Sequence, residues 1–206
     1  MFDPYVIIAL LVAVTIHECS HAMVAYYLGD PTAKLAGRIS LNPLAHLDPM
    51  GTIMLFLIHF GWGKPVPVNL NYFRRPVRDS SLTAFAGPVS NLILAFVLAL
   101  PLKYLPFLMP MWLDRLLFTI LDVNIFLCVF NFFPFAPLDG SKMIGILIPK
   151  RFRLAYDRYL QKSMLYFIIF LLFDQYVLAH YLGYSILQYL ISTMAIFIKS
   201  VIFLGT

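Results

Sequence analysis

Residues 5–28 read YVIIALLVAVTIHECSHAMVAYYL, and this run from Tyr5 to Leu28 is apolar around one cluster of ionisable side chains, His17-Glu18-Cys19-Ser20-His21. At about 1.5 Å per residue, a helix of this length crosses the ~30 Å hydrocarbon core of a bilayer. No positively charged region precedes the run and no A-x-A cleavage site follows it. We therefore expect a retained membrane span and not a signal peptide.

The composition of the whole chain indicates the same solvent. Of 206 residues, 61% are hydrophobic and 12% are charged, whereas soluble domains have about 45–50% apolar and about 25% charged residues. This excludes an ordinary soluble domain. The net charge of +5 is compatible with nucleic-acid binding, but the basic residues lie at the ends of apolar runs, a pattern typical of membrane proteins. We therefore expect a lipid bilayer, and no nucleic acid, as a partner.

Further apolar runs are long enough to cross a bilayer. They are Leu82 to Leu102, Leu116 to Phe135, Met164 to Leu182 and Ile186 to Leu204. A shorter run, Met50 to Phe60, has eleven residues and is interpreted as a re-entrant or interfacial element. The predicted fold class is an all-α polytopic membrane protein with five to six transmembrane helices. Residues 1–148 would form its core, and 149–206 a cytoplasmic basic connection followed by two C-terminal transmembrane helices.

The distribution of Lys and Arg predicts the orientation. Most basic residues lie in the segments Gly29 to Ser81 and Gly140 to Ser163, whereas the turn from Asp174 to Ser185 has none. By the positive-inside rule, both basic segments are cytoplasmic. The protein would then be a multi-pass cell-membrane protein with its N-terminus outside, a Met50 to Phe60 run that does not cross, and Lys199 near a cytoplasmic C-terminus.

The polar cluster in the first run has the spacing of a metal site. On a helix, His17 and His21 lie one turn apart on the same face, so both imidazoles can reach one ion. Glu18 lies beside them and can accept a proton from a water molecule. The alternative is a polar cluster that is satisfied between packed helices. Ionisable groups inside a membrane are costly and usually mark function, which favours the metal site.

A catalytic zinc needs a third protein ligand. Residues 131–140 read NFFPFAPLDG, in which two prolines break the helix and the carboxylate of Asp139 follows at membrane depth. Asp139 could instead cap a short helix over Ser141 to Leu147. Taken alone, the two roles are equally supported, but ligation is favoured alongside His17 and His21. The predicted orientation places both parts of this site in the cytoplasmic half of the membrane.

With these residues the chain resembles the site-2 protease family of intramembrane zinc metalloproteases, which carry H-E-x-x-H on one span and Asn, Pro and Leu-Asp-Gly on a later one. Other matching segments are Ser40 to Leu44, Gly61 to Asn69 and Ala86 to Asn91. The resemblance implies a Zn²⁺ cofactor with His17, His21 and Asp139 as ligands. It also implies that Glu18 is the general base and that Asn91 faces the active site.

The same resemblance implies a reaction, namely hydrolysis of a peptide bond in or near the transmembrane segment of a single-pass membrane protein, as in regulated intramembrane proteolysis. The chain has no room for the PDZ or CBS domain of many relatives, so it would be a short form. The substrate filter that those domains provide would then be absent or supplied by a separate regulatory protein. Two alternatives stay open: a catalytically inactive homologue that binds membrane helices, and a metal transporter.

The segment Lys64 to Asn71 alternates proline and valine before Asn69. Prolines at alternate positions remove amide donors from one edge of a strand only, so we expect a small β-hairpin between the first two long core spans. The amides of Val66 and Val68 would then pair with an unwound substrate. The alternative is a proline-stiffened loop. His59, close in sequence to this hairpin, stays open as a further ligand.

Overall fold

The computed structural model of the protein describes residues 3–58, 61–105 and 108–204. Within these ranges the chain is mostly helical. The α-helices are α1 (Pro4–Tyr27), α2 (Thr32–Leu35), α3 (Pro49–Ile58), α4 (Pro76–Tyr104), α5 (Met111–Asn131), α6 (Gly140–Met143), α7 (Arg153–Phe173), α8 (Ala179–Leu182) and α9 (Ile186–Ile202). Short 3₁₀ turns cover Pro43–Ala45, Leu70–Tyr72, Ile144–Leu147 and Lys150–Phe152, and a π-helical stretch, Asp174–Leu178, joins α7 to α8.

The apolar helices agree with a membrane protein. Three helical stretches of the described chain are long and apolar enough to cross a bilayer: Pro4–Tyr27, Pro76–Tyr104 and Lys150–Tyr181. Helix α9 is apolar but has 17 residues, and α5 has 21 residues with Asp114, Arg115 and Asp122 among them. The predicted helical class is confirmed, whereas the number of five to six spans stays a prediction.

Small residues set the packing of α1. Its buried positions include Ala9, Ala13, His17, His21 and Ala25, which follow one another at intervals of four and so form one face of the helix. Alanines above and below the two histidines let a neighbouring backbone come close, as in other membrane helix pairs. The imidazoles therefore occupy a packed interface and not a lipid-facing surface.

Helices α4 and α5 form the apolar core beside α1. Its fully packed members are Ala95, Ala99, Leu102, Leu121, Ile125 and Val129, and side chains of α9 such as Ile191, Ala195, Ile198 and Ile202 pack against them. Both alanines are on α4, and α5 contributes Leu121, Ile125 and Val129, which lets the two helices interdigitate.

Leu204 lies at the same end of the bundle as Asp3. Asp3 forms an ion pair with Arg115 at the start of α5, and the Lys103 ammonium, near the end of α4, donates to the carbonyl of Leu204 at 2.7 Å. The position of Leu204 differs from the prediction, in which the end of α9 lies on the opposite, cytoplasmic side. The reason is Lys199, which pairs with Asp122 at 2.7 Å and docks α9 along α5.

The predicted β-hairpin is wrong for the described residues. Residues 64–69 have no strand, and the nearest ladder is one isolated antiparallel bridge between Leu47 and Gly63. The carbonyls of Lys64 and Pro65 accept from the guanidinium of Arg38 and not from a partner strand. The proline-stiffened loop, the alternative interpretation, describes this segment better.

Helix α3 agrees with the short predicted element. It has 10 residues, so at about 1.5 Å per residue it is roughly 15 Å long and does not reach across a bilayer. His59 and Phe60, the last two residues of the predicted run, lie outside the described residues. The re-entrant assignment itself stays a prediction.

Candidate metal centre

Three predicted ligands meet in the structure. The Nε2 atoms of His17 and His21 lie 3.0 and 3.1 Å from the same oxygen, Oδ2 of Asp139. The candidate ligand atoms of the three residues all lie within 4.8 Å of one another. In the part of the chain that the structure describes, these side chains form the group that could hold a metal ion. The two histidines are buried, and Asp139 is half-buried.

The turn after α5 carries Asp139 to the histidines. Helix α5 ends at Asn131, before the two prolines, and α6 begins at Gly140. A Cβ at Gly140 would lie 2.3 Å from the carbonyl oxygen of Phe133, so only glycine fits directly after Asp139. The carboxylate makes no capping hydrogen bond to α6. The capping alternative therefore fails, and the side chain points at His17 and His21.

Hydrogen bonds from neighbouring helices hold this turn in place. The Ser81 hydroxyl of α4 donates to the Lys142 carbonyl at 2.8 Å, and the Tyr156 hydroxyl of α7 donates to the Ser141 carbonyl at 2.7 Å. The turn is thus bonded to two helices that do not carry the ligands. This fixes the depth at which the Asp139 carboxylate meets α1.

The partners of the Nδ1 atoms determine the histidine tautomers. Nδ1 of His21 lies 2.7 Å from the carbonyl oxygen of Thr83, which can only accept. Nδ1 of His17 lies 2.6 Å from Oδ1 of Asn91, whose Nδ2 donates to the Ala13 carbonyl at 3.1 Å. Both Nδ1 atoms therefore carry the proton. In the neutral imidazoles this leaves a lone pair on each Nε2, the form in which histidine binds a metal.

Asn124 extends this arrangement by one residue. Its Oδ1 accepts from Nδ2 of Asn91 at 2.7 Å, and its own Nδ2 donates to the Ile120 carbonyl at 2.8 Å. Both asparagines are fully buried. A buried amide with all of its donors satisfied cannot flip without cost. Asn124 therefore fixes which end of the Asn91 amide faces His17.

Gly87 brings the backbone of α4 directly over the ligand atoms. A Cβ at this position would lie 2.5 Å from Nε2 of both His17 and His21. Pro88 follows within the helix and has no N–H to donate to the carbonyl four residues earlier, which weakens the ladder at this turn. The glycine leaves a space beside the two nitrogens that any side chain would fill.

Glu18 lies beside the ligand cluster and not in it. It is half-buried on the next position of α1, and a Cβ at Gly63 would lie 4.0 Å from its Oε1. Val66 and Val68, two other predicted site residues, lie in the segment that begins after Gly63. His59 lies outside the described residues.

The donor set fits zinc. Two imidazole nitrogens and one carboxylate oxygen form one of the common three-ligand sets of catalytic zinc, which leaves a coordination position open. In tetrahedral geometry, ligand atoms about 2.0–2.2 Å from one ion lie roughly 3.4 Å apart, close to the separations of Asp139 from the two histidines. The protonated Nδ1 atoms and the space beside Gly87 agree with this assignment.

Comparison with known proteins gives the family. Over 153 residues the chain is 44% identical to "Putative zinc metalloprotease YwhC" of Bacillus subtilis, and the match covers 71% of this chain and 70% of that relative. The chain belongs to this family of zinc metalloproteases. Zinc is therefore the metal that the family implies for the three ligands.

More distant relatives of the zinc metalloprotease family agree. Over 97 residues the chain is 35% identical to "Putative zinc metalloprotease Rip2" of Mycolicibacterium smegmatis, a match that covers 45% of the chain and 38% of the relative. The protein of that name in Mycobacterium tuberculosis is 31% identical over 141 residues, covering 66% and 54%. No family model matches the chain, and no solved structure matches it significantly.

Several residues of this metalloprotease site escaped the sequence analysis. Asn124 is a polar residue inside a predicted span, which was a usable signal. Gly87 was visible only as part of a matching segment, although a Gly-Pro pair inside an apolar run is unusual for a helix. The Thr83 carbonyl had no signal, because a backbone acceptor carries no sequence information.

Replacement of Asn91 tests the role of the amide. We expect Asn91→Ala to lower turnover by about 10- to 100-fold, because His17 loses the acceptor that orients its ring and sets its tautomer. Zinc content at saturating zinc should stay near that of the wild type, since all three ligands remain. Asn71→Ala, on the exposed surface, is the matched control. Wild-type turnover in Asn91→Ala would show that His17 is oriented without it.

Proposed function

We propose that the protein is an intramembrane zinc metalloprotease of the site-2 type, which hydrolyses a peptide bond in or near the transmembrane segment of a single-pass membrane protein. The observation that carries this proposal is the position of the ligand set. His17 and His21 lie in the middle of α1, an apolar helix of 24 residues, and Asp139 reaches them from the turn after α5. A metal centre inside apolar helices suits a substrate that is itself in the membrane.

The roles of the side chains follow from their chemistry. His17, His21 and Asp139 would hold the ion, and when bound, zinc supplies Lewis acidity that polarises a carbonyl group and lowers the pKa of a water molecule. Glu18 is adjacent to the ligands and not one of them, so its carboxylate is free to accept the proton of the attacking water. The same group can then pass that proton to the leaving amine.

The substrate has to unwind before it is cut. Each peptide bond of a membrane helix is hydrogen-bonded along that helix and shielded by neighbouring side chains. We expect residues that weaken a helix to favour cleavage, and we propose that the Val66 and Val68 amides pair with the unwound strand. Release of a cytoplasmic fragment, and a separate regulatory protein that selects substrates, belong to the same proposal.

The proposed location is the cell membrane, with the N-terminus outside and the metal centre in the cytoplasmic half. Because Leu204 lies beside Lys103 and Asp3 beside Arg115, we expect cysteines placed at residues 3 and 204 to react with a membrane-impermeant maleimide from outside. A cysteine at exposed Arg151 should react only after permeabilisation. Labelling of residues 3 and 204 from opposite sides would contradict the docking of α9 along α5.

The function is tested with purified protein in liposomes that also contain single-pass peptides. Cleavage should be lost after zinc is chelated and should return when zinc is restored. Of two peptides that differ only by a central Gly-Pro or Leu-Leu pair, the first should be cut faster. Zinc-loaded protein that cuts no embedded peptide would contradict the proposal.

A further inference from the structure

The segment from residue 64 to residue 69 is held at both of its ends by buried charged side chains. At the first end, the Arg38 guanidinium donates to the Pro65 carbonyl at 3.0 Å and also to the carbonyl of Lys64. At the second end, Oδ2 of Asp30 accepts from the Asn69 amide at 2.7 Å. Both charged side chains belong to the connecting residues that follow α1 in sequence. They lie more than twenty residues in sequence from the segment they contact.

Such contacts are unusual because both charged groups are buried. Arg38 is 3% exposed and Asp30 is 0% exposed. Neither forms an ion pair within the ranges that the structure describes. A buried charge is costly unless its surroundings satisfy it. Here the long-range partners are backbone groups. Arg38 donates to the carbonyls of residues 64 and 65, and Asp30 accepts from the amide of residue 69.

The middle of the segment is left without hydrogen bonds. The amides of Val66 and Val68 donate to no group among the described residues, and both residues are half-buried. Pro65 and Pro67 have no amide to donate. The free donors of this segment therefore occur at alternate residues, as on one edge of a β-strand.

The first end of the segment lies close in space to Glu18, the proposed general base. Gly63 precedes the segment, and a Cβ there would lie 3.2 Å from Val14 and 4.0 Å from Oε1 of Glu18. Burial lowers the pKa of Arg38, and the nearby Glu18 charge acts in the opposite direction. Asp30 lies just beyond the end of α1. The segment thus runs alongside the last part of α1, from the level of Glu18 to that of Asp30.

We infer that Arg38 and Asp30 are positioning residues, which hold the Val66 and Val68 amides extended and open for an unwound substrate strand. The inference rests on the proposed function and adds to it the two groups that prepare the binding edge. Arg38 fixes the end near the metal centre, and Asp30 fixes the far end. Neither group touches the reacting atoms, so their effect is on substrate binding and not on the chemical step.

Three variants separate this role from a merely structural one. In Asp30→Asn, one oxygen still accepts from Thr32, while an amide nitrogen faces the Asn69 N–H and the long-range bond is lost. Arg38→Gln is too short to reach both carbonyls, and Arg38→Lys restores part of the contact. Thr32→Val removes only the hydroxyl that donates to Oδ1 of Asp30, so it is the matched control.

The first measurement needs no substrate. Cysteine is placed at Val68, and its reaction rate with a maleimide is measured; Cys19 and Cys128 are buried. We expect Asp30→Asn and Arg38→Gln to change this rate several-fold, Arg38→Lys to change it less, and Thr32→Val to leave it unchanged. Equal rates in all variants would overturn the inference, whether or not the protein is a protease.

The second measurement uses the liposome cleavage assay. We expect KM to rise by about 2- to 13-fold in Asp30→Asn and Arg38→Gln, the effect of one lost hydrogen bond, with zinc content near wild type. In Asp30→Asn, which keeps the Arg38 charge near Glu18, kcat should also stay near wild type. A fall in kcat with unchanged KM, or loss of zinc, would overturn the positioning role. If the wild type cuts no embedded peptide, the proposed function and the substrate role fail together. The labelling result still decides whether Arg38 and Asp30 position the segment from residue 64 to residue 69.

Discussion

Replacing Glu18 with glutamine is expected to lower kcat by about 10²- to 10⁴-fold, the usual contribution of a general base, while zinc content stays at the wild-type level. Gln has nearly the same shape as Glu but cannot accept the proton of the attacking water. Glu18 is also the single glutamate of the chain. The measurement is turnover on an embedded peptide, with zinc determined by atomic absorption on the same sample.

Asp139→Asn is the matched comparison, because it makes the same acid-to-amide change on a proposed ligand. It should lose zinc as well as turnover, since a neutral amide is a much poorer ligand than a carboxylate. Asp157→Asn, on the exposed face of α7, should change neither. Full turnover in Glu18→Gln, or loss of its zinc, would remove Glu18 from the role of base.

Gly87→Ala is expected to abolish zinc binding and to lower turnover by about 100-fold or more, because misplacement of a group by 1 Å costs that much. In an ordinary helix this substitution is stabilising by about 0.5–1 kcal/mol. Here the added methyl group would lie 2.5 Å from both ligand nitrogens, so the histidines have to move away from Asp139. Zinc content and turnover are measured as for Glu18.

The control for Gly87→Ala is Val89→Ala. Val89 is an exposed residue of the same helix, and its truncation brings no new atom towards the histidines. We expect this variant to keep its zinc. If Gly87→Ala also bound zinc at the wild-type level, α4 would not approach the ligands as closely as the structure has it.

The sequence predicted the three side chains that meet at the candidate metal centre because their signal is local. His17 and His21 lie at helical spacing inside an apolar run, and the prolines before Asp139 mark the end of α5. Hydropathy located the apolar helices for the same reason, since it depends on composition over a short window. The short helix after Asp139 was also predicted at about the right place.

The remaining features depend on contacts between distant residues. Gly87 lies against His17 although the two are seventy residues apart in sequence. No local sequence pattern can indicate such a contact. In the segment predicted as a hairpin, the carbonyls of Lys64 and Pro65 accept from the distant Arg38 and not from a partner strand. The position of α9 was missed because Lys199 was expected near a cytoplasmic C-terminus, whereas it pairs with Asp122 of α5.

The most direct test of intramembrane proteolysis is the site of the cut. The zinc-loaded wild type is reconstituted in liposomes with a single-pass peptide, and the fragments are weighed by mass spectrometry, with Glu18→Gln in parallel. We expect two fragments whose masses place the cut inside or at the edge of the apolar stretch, and none from Glu18→Gln. Cuts confined to the soluble flanks, or the same fragments from Glu18→Gln, would contradict the account.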